Sequence, residues 1–136
     1  MTKPIERYLS ELTQKAQAAG LDMAKPGSNW APMRPLVPGT HISTSVTKDK
    51  VQVNLNNDRD EDRQRYNALV VDRAIIDTAI GMGLKWEKDS NVKKTVIRAT
   101  RDGGYDVSDW EEQHEWAIAV MKAFVDQFGP RLARFG

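Results

Sequence analysis

The sequence predicts an α+β domain: a four-stranded antiparallel sheet of two hairpins, with helices packed on one face, in the order α-β-β-α-β-β-α. Three observations predict it. Residues 41–46 and 51–56 alternate apolar or β-branched with polar side chains around a short charged turn, the mark of a half-buried hairpin. Residues 84–87 and 93–100 form a second pair of short strand-like stretches around a turn at Asp89, Ser90 and Asn91. Three segments of helical period surround these pairs, and antiparallel hairpins with helices on one side are the simplest packing.

The first helical segment opens at Pro4, where a missing N–H costs nothing. Ile5, Tyr8, Leu9, Leu12 and Ala16 share a face, and Gly20 is the stop. Residues 21–40 hold Pro26, Gly27, Pro32, Pro35, Pro38 and Gly39, too many breakers for a helix. Trp30, Met33, Leu36 and Val37 make the stretch too apolar for a free linker, so it reads as an ordered irregular segment anchored by Trp30. In the first hairpin, Ile42, Val46, Val51, Val53 and Leu55 face inward, and Ser43, Ser45, Gln52 and Asn54 face out. A second helix opens on the charged run at 58–65, with Asp60, Glu61 and Asp62 placed for its dipole, and runs through Tyr66, Leu69, Val70, Ile76 and Ile80 to Gly81 and Gly83. In the second hairpin, Leu84 and Trp86 point in and Lys85 and Glu87 out; Thr95, Ile97 and Ala99 point in, leaving Lys94, Val96 and Arg98 outside. The last helix opens with the capping box Ser108-Asp109-Trp110-Glu111 and closes at Gly129-Pro130.

At 136 residues the chain suits one domain spanning 1–136, long enough to bury a core without staples. It has no cysteine, which excludes disulfides, thiol redox chemistry and Cys-ligated zinc. No apolar run approaches the ~20 residues of a membrane span, and the N-terminus lacks a signal-peptide stretch, so no membrane partner and a cytoplasmic location are expected.

Catalytic patterns fail in turn. Gly81-Met82-Gly83 precedes a strand and lacks the lysine of a phosphate loop. His41 and His114 fall on different elements, a poor basis for a metal site. No Asp or Glu has a lysine two positions later, as a restriction-type nuclease strand requires; Glu87-Lys88 misses by one residue and so by one face. The acids gather at helix starts, where the dipole accounts for them. A non-enzyme without cofactor or metal is expected.

The net charge of +1 is a cancellation. The strand-bearing parts, 1–56 and 84–107, balance at +3 and +2, whereas 57–83 and 108–136 each balance at −2. Strand parity gathers Lys50, Gln52, Asn54, Lys85, Lys94 and Arg98 on the outward sheet face, a set suited to phosphates, with charge from Lys and Arg and hydrogen bonds from Gln and Asn. The face lacks the aromatic pair of single-strand-binding sheets. Trp86 and Trp110 fall on core positions; Trp116 lies off the main stripe of the last helix, at the core's edge or at a protein interface.

Ile76, Gly81, Leu84, Trp86 and Glu87, the basic strand Lys93-Lys94-Thr95-Val96-Ile97-Arg98, and a last helix with Trp110, Trp116, Phe124, Phe128 and Pro130 form a recognisable series, with Trp30 and the first hairpin upstream in order. Over about residues 8–135 the chain resembles a prokaryotic domain-of-unknown-function family, commonly fused behind restriction-endonuclease-like nuclease domains in defence-related proteins. The resemblance implies an accessory role beside nucleic-acid-cutting machinery and carries no catalytic residues. With the domain starting near Met1, a free-standing form from a phage or mobile element is expected. The expected partner is nucleic acid or a protein of a nucleic-acid-processing complex. The competing expectation is a protein–protein module: a homodimer, or an inhibitor or subunit of a defence complex, using Trp116.

Overall fold

Alternation in the middle of the chain sets the sheet. In the computed structural model, which describes residues 3–88 and 93–136, the elements run α1 (Pro4–Ala18), β1 (Trp30–Pro32), β2 (Thr40–Val46), β3 (Lys50–Asn57), α2 (Gln64–Val70), α3 (Arg73–Ile80), β4 (Lys85–Lys88), β5 (Thr95–Asp102) and α4 (Trp110–Leu132). The strands form one antiparallel sheet in the order β1-β2-β3-β5-β4. Cross-strand rows define its inner face: Ile42, Leu55, Ile97 and Trp86 in one, Thr44, Val53 and Ala99 in the next. Their buried members join Met121, Phe124 and Phe128 of α4 and Tyr8, Leu9 and Leu12 of α1 in the core. The inward and outward assignments made from the alternation hold in both hairpins.

Four expectations need correction. The sheet has five strands, because Trp30, Ala31 and Pro32 of the proline-rich segment pair with Ser45, Thr44 and Ser43. Proline is tolerated on such an edge, where no neighbour needs its N–H. The second helix is two: α2 ends at Val70, a turn follows, and α3 resumes at Arg73, giving α-β-β-β-α-α-β-β-α. The Ser108–Glu111 box does not form; Asp109 holds the N-cap position, and its carboxylate accepts from the Gln113 amide at 2.6 Å. Nor does Pro130 end α4, which runs to Leu132. Its missing N–H frees only the carbonyl of the exposed Asp126, and Arg131 donates to the Gln127 carbonyl at 2.8 Å. The expected turn at Asp89, Ser90 and Asn91 lies outside the described residues.

Two buried polar clusters tie the layers together. At one end of the sheet, Thr40, Asn57 and Thr95 are cross-strand neighbours on the inner face. Thr40 donates to Asn57 Oδ1 (2.9 Å), Asn57 to Thr95 Oγ1 (3.0 Å), and Thr95 to Asp60 Oδ2 (2.6 Å). Asp60, fully buried, also accepts from the backbone N–H groups of Arg65 (2.6 Å) and Tyr66 (3.0 Å) in the first turn of α2. The acid read as a dipole partner thus sits before a 3₁₀ turn at Glu61–Arg63 and fastens α2 to the sheet.

At the other end, Gln113 of α4 accepts from the Tyr8 hydroxyl (2.8 Å) and from Gly104 N–H (3.0 Å), and donates to the Gly104 carbonyl (3.2 Å). Burial pushes the Tyr8 hydroxyl pKa well above its ordinary value. Asp109 is held below the usual carboxylate range, first by its hydrogen bond from Gln113 and then by Arg101. His114, fully buried, faces Tyr8 edge-on at 4.4 Å between ring centroids. Lys15 Nζ approaches His114 Nδ1 at 3.0 Å, so the neutral ring accepts there and carries its proton on Nε2.

Burial, and then the Lys15 charge, lower the His114 pKa to about 4 against 6.5 in an unfolded chain, with only the Tyr8 carbonyl opposing. Between these values the unfolded state binds the extra proton, so stability falls as pH drops from about 6.5 to about 4, by up to about 3 kcal/mol. Urea unfolding across this range should show that slope, and His114→Phe should flatten it. A slope unchanged in the variant would assign the acid sensitivity to other groups.

Candidate nucleic-acid interface on the open sheet face

The helices lie on the inner face, so the outward side chains of all five strands stay uncovered by any helix among the described residues. Period-2 geometry gives this face Trp30, His41, Ser43, Ser45, Lys50, Gln52, Asn54, Asn56, Lys85, Glu87, Val96, Arg98, Thr100 and Asp102 by register.

Its centre is a hydrogen-bonded ladder across four strands. Asn54 of β3 donates to Ser45 Oγ of β2 (3.2 Å) and accepts from Arg98 Nε of β5 (2.8 Å). Arg98 pairs with Glu87 of β4 at 3.8 Å, and Glu87 with Lys85 at 3.0 Å. Arg98 and Lys85 stand directly opposite in the β4–β5 register, a repulsive placement for like charges that the intervening Glu87 relieves. Beside the ladder, Gln52 donates to Thr100 Oγ1 (3.4 Å), and Asn56 to Ser43 Oγ (2.9 Å) and the His41 carbonyl (3.3 Å). Ser43 and Asn54 are almost fully covered by these neighbours, while 29% of the Arg98 side chain remains exposed. The face is therefore polar and held in fixed rotamers before any ligand arrives.

Of the six residues read from the sequence, the fold brings Asn54, Lys85 and Arg98 into one row and sets Gln52 in the next. Lys50 and Lys94 lie at opposite ends of the face. Lys50 stands opposite Asp102 in the β3–β5 register, and Lys94 is exposed just before β5. Four residues along a strand span about 13 Å, so the cations form a line along the sheet and not a cluster. With Glu87 in the ladder, the central row has a formal charge of +1, a weaker field than the lysine and arginine positions alone imply. Trp116 is half-buried and packs against the core from α4.

Sequence reading missed Thr100 and Asn56 as parts of the face, although both fall at outward positions inside the stretches read as strands. It also missed a corner at the β1 edge, where Trp30 meets the His41 ring edge-on at 5.3 Å and His41 Nδ1 lies 3.2 Å from Asp58. That corner depends on the unforeseen strand. Among the described residues no group of three or more His, Cys, Asp or Glu side chains is placed to hold a metal ion, and no helix is long and apolar enough to cross a membrane.

Fold and face together define a two-layer α+β domain with one helix-covered and one open, polar sheet face. The chain belongs to the family described as a domain of unknown function (DUF4268), whose model matches residues 6–132. A search of curated proteins finds no match. Among solved structures, the chain is similar to YbjN of E. coli, described as a candidate transcription regulator, with a TM-score of 0.44, 15% identity, and coverage of 88% of this chain and 93% of that one. It is also similar to an uncharacterized protein from Methanothermobacter thermautotrophicus, with a TM-score of 0.43, 11% identity, and coverage of 94% and 99% respectively.

Proposed function

We propose that this chain is a non-catalytic binding domain that contacts nucleic acid, alone or within a nucleoprotein complex, through the open sheet face. The observation that carries the reading is the Ser45–Asn54–Arg98–Glu87–Lys85 ladder. It fixes an arginine fork and amide groups on a surface free of helices, with Lys50 and Lys94 along the same line. Phosphates spaced along a backbone match a line of cations better than a single anion would, and preset rotamers reduce the ordering cost of binding. The low charge at the centre argues for modest, sequence-independent affinity. Within this proposal the domain works in the cytoplasm beside nuclease-type machinery of a defence or mobile-element system.

Fluorescence anisotropy with labelled single- and double-stranded oligonucleotides at about 50 mM salt tests it. Arg98→Ala and Lys94→Ala should each weaken binding several-fold, and together by about tenfold or more, about 1.4 kcal/mol. Unchanged binding in the double variant would remove the sheet face as the site.

The protein–protein reading is favoured by a different observation from the one that drew attention to Trp116. Val71 is 79% and Ile75 61% exposed, and both lie on the α2–α3 stretch, outside the strands of the sheet.

A further inference from the structure

We infer that the groove between α2 and the C-terminal turn docks an acidic, amphipathic peptide segment of a partner protein, independently of the sheet face. An open cavity of about 830 Å³ lies there, lined by Gln64, Asn67, Ala68, Val71, Arg134 and Phe135, with one cation and no acid among them. Exposed Val71 lines its helical side, and exposed Ile75 follows in the first turn of α3, past the break at residues 71 and 72. A smaller neighbouring cavity shares Gln64 and Phe135 and adds Arg59 and Arg65.

Charge selects the occupant. The Phe135 ring is approached by two guanidinium groups, Arg65 at 5.3 Å and Arg134 at 5.0 Å. Neither these two nor Arg59 has a carboxylate partner among the described residues, whereas Arg73 and Arg131 nearby are paired with Asp77 and Asp72. The acids of the smaller cavity are already engaged: Asp60 accepts two backbone N–H groups and the Thr95 hydroxyl, and Glu61 pairs with Lys93 at 3.7 Å. Arg65 is engaged by Thr40, which leaves Arg59 and Arg134, beside exposed Val71, to complement a segment with carboxylates on one side and aliphatic side chains on the other. The partner's apolar side chains cover Val71 and Ile75, and its carboxylates reach Arg134 and Arg59.

The test uses the full chain and two labelled dodecapeptides, one of mixed leucine and glutamate, the other with lysine in place of every glutamate. Anisotropy should show saturable binding of the acidic peptide and none of the basic one. Arg134→Glu should weaken the acidic peptide at least tenfold, and so should the Val71→Asp and Ile75→Asp pair, with circular dichroism unchanged because all three side chains are exposed. Arg98→Ala should leave peptide binding unaltered, which separates this groove from the sheet-face reading. Three results would overturn the proposal: equal binding of both peptides, no effect of Arg134→Glu, or displacement of the peptide by an oligonucleotide whose own binding also needs Arg134. Light scattering that shows a dimer broken by Val71→Asp would instead give the groove to a second copy of this chain.

Discussion

Asp60→Ala is expected to remove about 3–5 kcal/mol of folding stability, a large share of the 5–15 kcal/mol typical of a single domain. Alanine leaves three donors without an acceptor: the N–H groups of Arg65 and Tyr66 and the Thr95 hydroxyl. These bonds go to a charged acceptor in a site closed to water, so their loss exceeds that of an ordinary surface cap. The damage also spreads. Thr95 links Asp60 to Asn57, Asn57 links to Thr40, and Thr40 accepts from the Arg65 guanidinium, so the ends of three strands and the start of α2 loosen together. Thr95→Val, which cuts one link and keeps the carboxylate on its two backbone donors, should cost only about 1–2 kcal/mol. Urea unfolding measures both. A loss below about 1 kcal/mol for Asp60→Ala would mean that Asp60 does not fasten α2 to the sheet.

Gly104→Val should be at least as damaging, about 4 kcal/mol or more, and is expected to leave little folded protein. Gly104 has φ +102°, a conformation L side chains rarely adopt, and a Cβ there would stand 2.3 Å from the Lys48 carbonyl carbon and oxygen. The backbone fixes the position of that Cβ, and the atoms it meets are backbone, so no rotamer change relieves the contact. The segment is pinned on both sides: Gly103 N–H donates to the Asp49 carbonyl (3.1 Å), Tyr105 N–H to the Thr47 carbonyl (3.0 Å), and Gln113 grips Gly104 itself. The exit of β5 is thereby fixed on the β2–β3 turn, and the start of α4 on both. Gly83 supplies the contrast, since nothing lies within 4 Å of its Cβ position and its φ is not in the left-handed region. Gly83→Ala should shift thermal unfolding by no more than about 0.5 kcal/mol in either direction. Equal losses at the two glycines would contradict the assignment.

Periodicity carried the sheet because one-residue spacing decides which face a side chain takes, and three of the four hairpin strands keep that spacing over seven or eight residues. It could not find β1, which is three residues long, ends in proline and has only Ala31 buried. It joined α2 and α3 because the apolar stripe from Leu69 to Ile76 continues across their break at helical spacing. Thr40, Asn57 and Thr95 were not recognised as a buried polar cluster for a related reason. They are polar side chains on the buried face, and a polar residue at an inward position looks the same in sequence as the end of a strand. The outward row of Asn54, Arg98 and Lys85 was legible residue by residue. Its internal pairing was not, because Glu87 neutralises one of the two cations only through the β4–β5 register.

The salt dependence of oligonucleotide binding tests the central claim most directly. A sheet face that meets phosphates through Lys50, Lys85, Lys94 and Arg98 predicts that log K falls linearly with log salt, with a slope of about −3.6 on duplex DNA. Neutralising Arg98 should reduce that slope by about one, while Arg134→Glu leaves it unchanged. Binding independent of salt, or a slope that Arg98→Ala leaves intact, would contradict the assignment of this face to nucleic acid.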